Sequence, residues 1–190
     1  MARPGLDTET VVAAAAALAD AEGLEAVTLA KLAAQLGVKS PSLYGHVDGL
    51  AGLRRQIAAR GARELSGDLQ AAVAGRSGNE ALTALADTYR GYARAHPGTY
   101  AATQNVANLE GPEASAAATA ALDVIYAVLR GYPIDGDARI HAARIVRSAL
   151  HGFISLEVGN GFGFDLDLDD SFAMLVAVLD RGLRSQELSA

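Results

Sequence analysis

Apolar residues along this chain recur at intervals of three and four rather than two, so the elements they predict are helices. Val11, Ala15, Leu18 and Glu22 mark the turns of a first helix, which starts near Asp7 or Thr8, whose side chains can cap it, and ends at Gly23. Leu29, Leu32, Ala33 and Leu36 repeat the spacing in a second helix, with Thr28 as its cap and Gly37 at its stop. Val38 plugs the following turn. Ser40 then caps a short third helix with Pro41 at its first position, where the missing proline N–H has no partner to lose. From Leu50 a long helix carries Leu53, Ile57, Ala58, Leu65, Leu69 and Val73 on one face and arginines on the other, until GRSG at 75–78. No flexible linker separates it from the short helix.

Further on, Leu82, Leu85, Ala86, Tyr89, Tyr92, Ala93 and His96 share a helical face that HPG at 96–98 closes. A short helix is expected over Tyr100 to Leu109, and GPE at 111–113 opens another through Leu122, Ile125, Tyr126 and Leu129 to Gly131. A helix from about Ala138 is expected to bury Ala142, Ile145, Val146, Ala149, Phe153 and Leu156. GNGFGF and the acidic DLDLDD make a loop before a last helix of Phe172, Leu175, Val176, Leu179 and Leu183. The pattern is all-α, about nine helices with no convincing strand: a three-helix domain over 1–48 and a larger helical domain over 49–190. The last two helices combine apolar faces with small residues, which permits close helix approach; paired about a two-fold axis they make a four-helix dimer interface. Ala149, Gly152, Phe153, Leu156, Phe172, Leu175 and Leu179 are its expected residues.

Composition narrows the function. The 190 residues include no Cys, which excludes disulfides and thiolate metal sites. MARPGLDTE lacks the apolar stretch of a signal peptide, and no 18-residue apolar run is free of charged or polar breaks. A soluble cytoplasmic protein with no membrane partner is therefore expected. The four histidines are scattered and form no convergent acid, base or nucleophile, so an enzyme is not expected, nor a cofactor or metal. Asp165, Asp167 and Asp169 imitate the start of a calcium loop, but Asp170 and Val176 stand where that loop needs Gly and Glu; a solvated acidic cap fits better. Gly159, Gly161 and Gly163 lack the preceding strand and the spacing of a dinucleotide fingerprint.

The net charge of −6 argues against a general nucleic-acid coat. Within 1–48, Arg3, Lys31 and Lys39 face six acids, Asp7, Glu9, Asp20, Glu22, Glu25 and Asp48, leaving −3. Local placement is more favourable than the average: the acids cluster in the first helix and the loop after it, while both lysines lie in the two-helix unit. Arg54, Arg55, Arg60 and Arg63 follow and can add phosphate contacts.

That unit, TLAKLAAQLGVKSPSLYGHV over 28–47, reads as two helices across a tight turn, a device for laying the second helix into the major groove. On TLAKLAAQLGV and the Ser-x-x-Leu-Tyr-x-His pattern of SPSLYGHV, the chain resembles the TetR family of one-component bacterial transcriptional regulators. The C-terminal half is similar to the WHG-type ligand domain of some members, through YRGYARAHPGTY at 89–100 and SALHGFISLEVGNGFGF at 148–164. Leu150 stands where that domain's Trp is expected; His151 and Gly152 remain. The resemblance implies a homodimer that binds a palindromic operator in double-stranded DNA, usually to repress, and leaves it when a small-molecule effector enters the C-terminal domain. Carried over by position, Ser40, Pro41, Ser42, Tyr44 and His46 face DNA, with Thr28 and Lys39 as backbone contacts. Two positions depart from the pattern: Leu50 replaces the Lys with which most members grip phosphate, and Gly45 replaces an Arg or polar residue.

Several residues have two readings. Tyr44 and His46 contact phosphate or pack the domain, with Leu43 and Val47 turned inward. Ser42 and Lys39 touch base edges or only backbone. The short helix has no Arg, Asn or Gln for bidentate base pairing, so DNA shape and half-site spacing are expected to supply much of the specificity. Arg3 enters the minor groove or is idle. Tyr89, Tyr92, His96, Tyr100, Gln104, Tyr126, Arg147 and His151 are the candidates for an effector pocket, with Asn105 beside them; the alternative is that the tyrosines and His151 are satisfied core residues. For the whole chain, the alternative is a helical small-molecule-binding protein of the same fold with weak or lost DNA binding.

Overall fold

A computed structural model describes residues 6–105 and 112–185, with side chains of 112–114 excepted. Arg3 and the expected helix end at Leu109 lie outside the described residues. Eight α-helices follow in order: α1 (Thr8–Glu22), α2 (Leu29–Leu36), α3 (Gly49–Val73), α4 (Gly78–Ala95), α5 (Pro97–Gln104), α6 (Pro112–Leu129), α7 (Gly136–Val158) and α8 (Leu168–Arg184). Two 3-10 segments, Leu24–Ala26 and Ser40–Gly45, complete the helical structure of the described residues, which contain no strand. None of the described helices is long and apolar enough to cross a membrane.

The helix ends follow the local chemistry. Asp7 caps α1 by accepting from the Thr10 N–H at 2.7 Å, which also holds its carboxyl below the usual range. Thr28 caps α2 by accepting from the Lys31 N–H at 3.2 Å, and Gly37 ends that helix in the left-handed region at φ 67°. Asp167 caps α8 by accepting from the Asp169 N–H at 2.7 Å, the role expected of the acidic run.

The chain forms two compact units, one of residues 1–64 with 95–118 and one of 65–94 with 119–190. These differ from a division at 48, and the first unit's core explains why. Val11, Leu18, Leu32 and Leu43 are buried as expected, with Val12 and Val27 beside them, but Leu53, Ile57 and Ala58 of α3 and Ala102 of α5 belong to the same cluster. Forty-eight residues bury too little surface to stand alone with ease, and the added helices complete the core.

In the second unit, α4 buries Leu82, Leu85, Ala86, Tyr89, Tyr92 and Ala93 as its periodicity requires. In α7 the buried face is rotated from the expected one. Ala142, Ala143, Val146, Leu150 and Ile154 turn inward, while Ile145 and Leu156 are exposed. Several apolar residues on α7 permit two overlapping stripes, and packing chooses between them.

Candidate nucleic-acid interface

Between Gly37 and Gly49 the backbone turns tightly. Ser40–Gly45 winds as a 3-10 helix, with the Ser42 N–H bonded to the Lys39 carbonyl and the His46 N–H to that of Leu43, both at 2.9 Å. The expected cap changes accordingly: Lys39, not Ser40, holds the N-cap position, and no side chain caps it. A segment this short gains from the tighter winding, and Pro41 supplies its starting geometry.

The segment is anchored on one side and open on the other. Leu43 and Val47 are buried in the unit's core, while Tyr44, between them in sequence, is 63% exposed. Thr28, Lys39, Pro41 and Ser42 are also exposed, and Ser40 and His46 are half-buried. A phenol raised from a buried base, with hydroxyls beside it, can donate to phosphate oxygens without repacking the domain. Leu50 is partly buried against the core, so the first turn of α3 offers an apolar residue inward rather than a cation outward.

Four basic groups of this unit are paired with acids. Lys31 bonds to Glu22, Arg54 Nη2 lies 2.8 Å from Glu25 Oε2, and Arg55 Nη2 lies 3.6 Å from Asp48 Oδ2. Arg60 pairs with Glu64 at 2.8 Å along α3. Arg54, Arg55 and Arg60, three of the arginines expected to be available for phosphate, thus have internal carboxylates already.

A connection that local sequence patterns do not show ties α5 to α1. The Asp20 carboxylate accepts from the Thr99 N–H at 2.7 Å and lies 3.1 Å from His96 Nδ1. Thr99 is in the first turn of α5, whose own N-cap, His96, makes no capping bond. Gly98 sits so close to α1 that a Cβ there would be 2.0 Å from the Ala19 carbonyl oxygen. The absence of a side chain is what permits the approach.

The eight effector candidates are divided between the units: His96, Tyr100 and Gln104 in the first, Tyr89, Tyr92, Tyr126, Arg147 and His151 in the second. Tyr89, Tyr92 and Tyr100 are buried, Tyr126 and His151 half-buried, and Arg147 exposed. Burial, with Arg147 nearby, holds the His151 imidazole below its ordinary pKa. A groove of about 570 Å³ lies between α4 and α8, lined by Asn79, Thr83, Asp87, Arg94 and Val176 among others, and none of the eight candidates lines it.

Arg90 lies at the edge of that groove and was not among the sequence candidates. Its guanidinium donates to both Glu157 oxygens, at 2.8 and 2.6 Å, and lies 2.8 Å from Asp169. It also stacks 4.7 Å from the Phe172 ring centroid. The Glu157 hydrogen bonds, then Asp169, raise its pKa against the cost of burial. The available signal was its position, four residues after Ala86 and three before Ala93 on the apolar face of α4.

Phe172 and Leu179, expected at a dimer surface, are instead buried in the chain's own core. Phe153 is half-buried and holds Phe162 and Phe172 at ring-centroid distances of 5.0 and 5.2 Å. Ala149 and Leu175 are also half-buried, whereas Gly152 and Leu156 are exposed. The large exposed apolar residues of α8 are Met174 and Val178, one helical position away from the expected stripe.

The chain is similar to known proteins over nearly its whole length. Residues 11–48 match the family described as bacterial regulatory proteins, tetR family, and residues 82–179 match the tetracyclin repressor-like C-terminal domain. The uncharacterized HTH-type transcriptional regulator Rv0681 of Mycobacterium tuberculosis is 40% identical over 96% of this chain and 84% of its own length. The uncharacterized HTH-type transcriptional regulator YobS of Bacillus subtilis is 34% identical, covering 95% of this chain and 94% of its own. Among solved structures, a TetR variant of Acinetobacter baumannii AYE in complex with minocycline has the same fold. It superposes with a TM-score of 0.72 at 21% identity, covering 95% of this chain and 99% of that one.

Proposed function

This chain belongs to the TetR family of bacterial transcriptional regulators, and from that premise we propose that it is a homodimeric repressor released from a palindromic operator by a small-molecule effector. Residues 1–48 read DNA and 49–190 receive the effector and form the dimer. The observation that carries the DNA-binding role is the exposure of Tyr44 between the buried anchors Leu43 and Val47. Thr28, Lys39, Ser40, Pro41, Ser42 and His46 complete the contact set around it. With no Arg, Asn or Gln on the Ser40–Gly45 segment, phosphate contacts position the protein and DNA shape carries much of the selection.

The effector would be small and partly apolar, as the minocycline bound by the structural neighbour suggests. Its binding couples to DNA release through α5, which is joined to α1 by the Asp20 cap. A ligand that displaces α5 pulls on α1, whose core neighbours Val27, Leu32 and Leu43 support the DNA-reading segment.

For the dimer, the exposed residues Ile145, Gly152 and Leu156 of α7 and Met174 and Val178 of α8 form the pairing face with a second copy. This revises the residues expected from sequence and keeps the same two helices. The acidic partners of Lys31, Arg54 and Arg55 favour a second reading, a ligand-binding protein of this fold with little DNA affinity.

The deciding experiment is fluorescence anisotropy of the full chain with duplexes tiling the region upstream of its own gene. Specific binding that weakens steeply with salt is expected. Tyr44→Ala is expected to lose binding yet remain a dimer in sedimentation, whereas Met174→Glu with Val178→Glu gives monomers. Failure of every duplex at low salt would leave only the second reading.

A further inference from the structure

We propose that Glu22, Glu25 and Asp48 set the DNA affinity of this protein by holding its basic groups in internal ion pairs that phosphate must displace. The inference rests on the DNA-binding reading above and adds an affinity-limiting device to it.

The placement of the three pairs makes the case. Glu22 closes α1 and bonds to Lys31, three residues past the Thr28 cap. Glu25 lies three residues before Thr28, in the Leu24–Ala26 turn, and holds Arg54 of α3 at 2.8 Å. Asp48 follows His46 by two residues and holds Arg55 at 3.6 Å. Each pair therefore has one member within three residues of Thr28 or His46, two of the proposed DNA contacts. All six residues belong to the first compact unit.

Asp48 has a second effect. It adds negative charge at the start of α3, where a Cβ on Gly52 would lie 2.9 Å from the Asp48 Cβ. The start of a helix presents unpaired N–H groups and a partial positive charge, a place suited to phosphate. Here the residue before the helix is an exposed carboxylate, and Leu50 adds no cation.

The carboxylates are open to exchange. The side chain of Asp48 is 97% exposed and that of Glu25 is 87% exposed, so both can swing into water when phosphate arrives. Exposed ion pairs are weak and break readily. A cation already neutralised by a carboxylate displaces fewer of the counterions condensed on DNA, so binding loses part of its usual entropic gain. Binding in this state costs the broken pair and the repulsion between the freed carboxylate and the backbone.

The test uses full-length protein and the operator duplex identified by the tiling experiment, with an unrelated duplex of equal length beside it. Glu25→Gln, Asp48→Asn and Glu22→Gln are each expected to tighten binding about threefold to fivefold at moderate salt. The slope of log affinity against log salt should steepen by up to about 0.9 for each cation freed. Glu80→Gln on α4 changes net charge equally without touching these pairs, and should leave affinity nearly unchanged. Adding Arg54→Gln to Glu25→Gln should remove the gain. Thermal melting of each variant confirms that it is folded. Unchanged or weaker binding by folded carboxylate variants overturns the inference while leaving DNA binding intact, as does an equal gain from Glu80→Gln. If neither the parent protein nor the variant that combines Glu22→Gln, Glu25→Gln and Asp48→Asn binds any duplex at low salt, the inference and the DNA-binding reading fail together.

Discussion

The Asp20 side chain of α1 caps α5 by accepting the Thr99 N–H at 2.7 Å, a capping bond supplied across two helices rather than by the residue preceding the helix. The bond joins a helix of the N-terminal family match to one of the C-terminal match. It therefore lies where a signal from the ligand domain would enter the DNA-binding one.

Replacing Asp20 with Ala should cost about 1–2 kcal/mol, the value of a lost cap, read as a lowered denaturation midpoint. Asp20→Asn retains an acceptor oxygen and should recover much of that stability. If the cap also transmits the effector signal, Asp20→Ala should narrow the difference between DNA affinities measured with and without effector.

Gly98→Ala is a sharper perturbation of the same contact. Its Cβ would meet the Ala19 carbonyl oxygen at 2.0 Å, and backbone cannot step aside as a flexible side chain can. Overpacking of this kind costs about 1–3 kcal/mol. A substantially lowered melting temperature is expected; an unchanged one would show that α1 and α5 separate without penalty.

Arg90→Met should destabilise the second unit strongly. Arg90 and Glu157 side chains are each about one-tenth exposed, and removing the cation leaves Glu157 without its bidentate partner. Loss of one member of such a pair costs about 3–5 kcal/mol. The double variant Arg90→Met with Glu157→Met should recover part of the loss, because an apolar pair leaves no uncompensated charge. Denaturant titration of the two variants distinguishes these outcomes.

His151 gives a pH dependence of known sign. Burial, aided by Arg147, depresses its folded-state pKa below 6.5, so the unfolded chain takes up a proton first as pH falls. Its contribution is fully present above about pH 6.5 and is lost as pH falls through the folded-state value. Melting temperatures of the parent protein and His151→Gln, compared between pH 5 and 7.5, should differ in slope, with the steeper rise in the parent.

Much of the architecture was legible because it depends on residues close in sequence. Asp7, Thr28, Gly23 and Gly37 act on backbone groups within a few residues, so helix ends could be read from their chemistry. The inward Leu43 and Val47 were legible from spacing, whereas Tyr44 had two readings in the sequence and the structure shows it exposed. The 3-10 winding of Ser40–Gly45 did not, since six residues give no periodicity to tell 3.0 from 3.6 residues per turn.

By itself, then, the sequence determined the helical class, the order of the helices and the family, all of which rest on local pattern and motif. Tertiary structure decided which of two apolar stripes on α7 faced inward, why Phe172 and Leu179 belong to the core, and that α5 completes the first unit. It also decided the partners of the charges: Asp20 with Thr99, Arg90 with Glu157, Arg54 with Glu25. Those choices join residues 79, 67 and 29 positions apart. A charge carries no mark of its distant partner in the sequence; only the packed chain brings the two within reach.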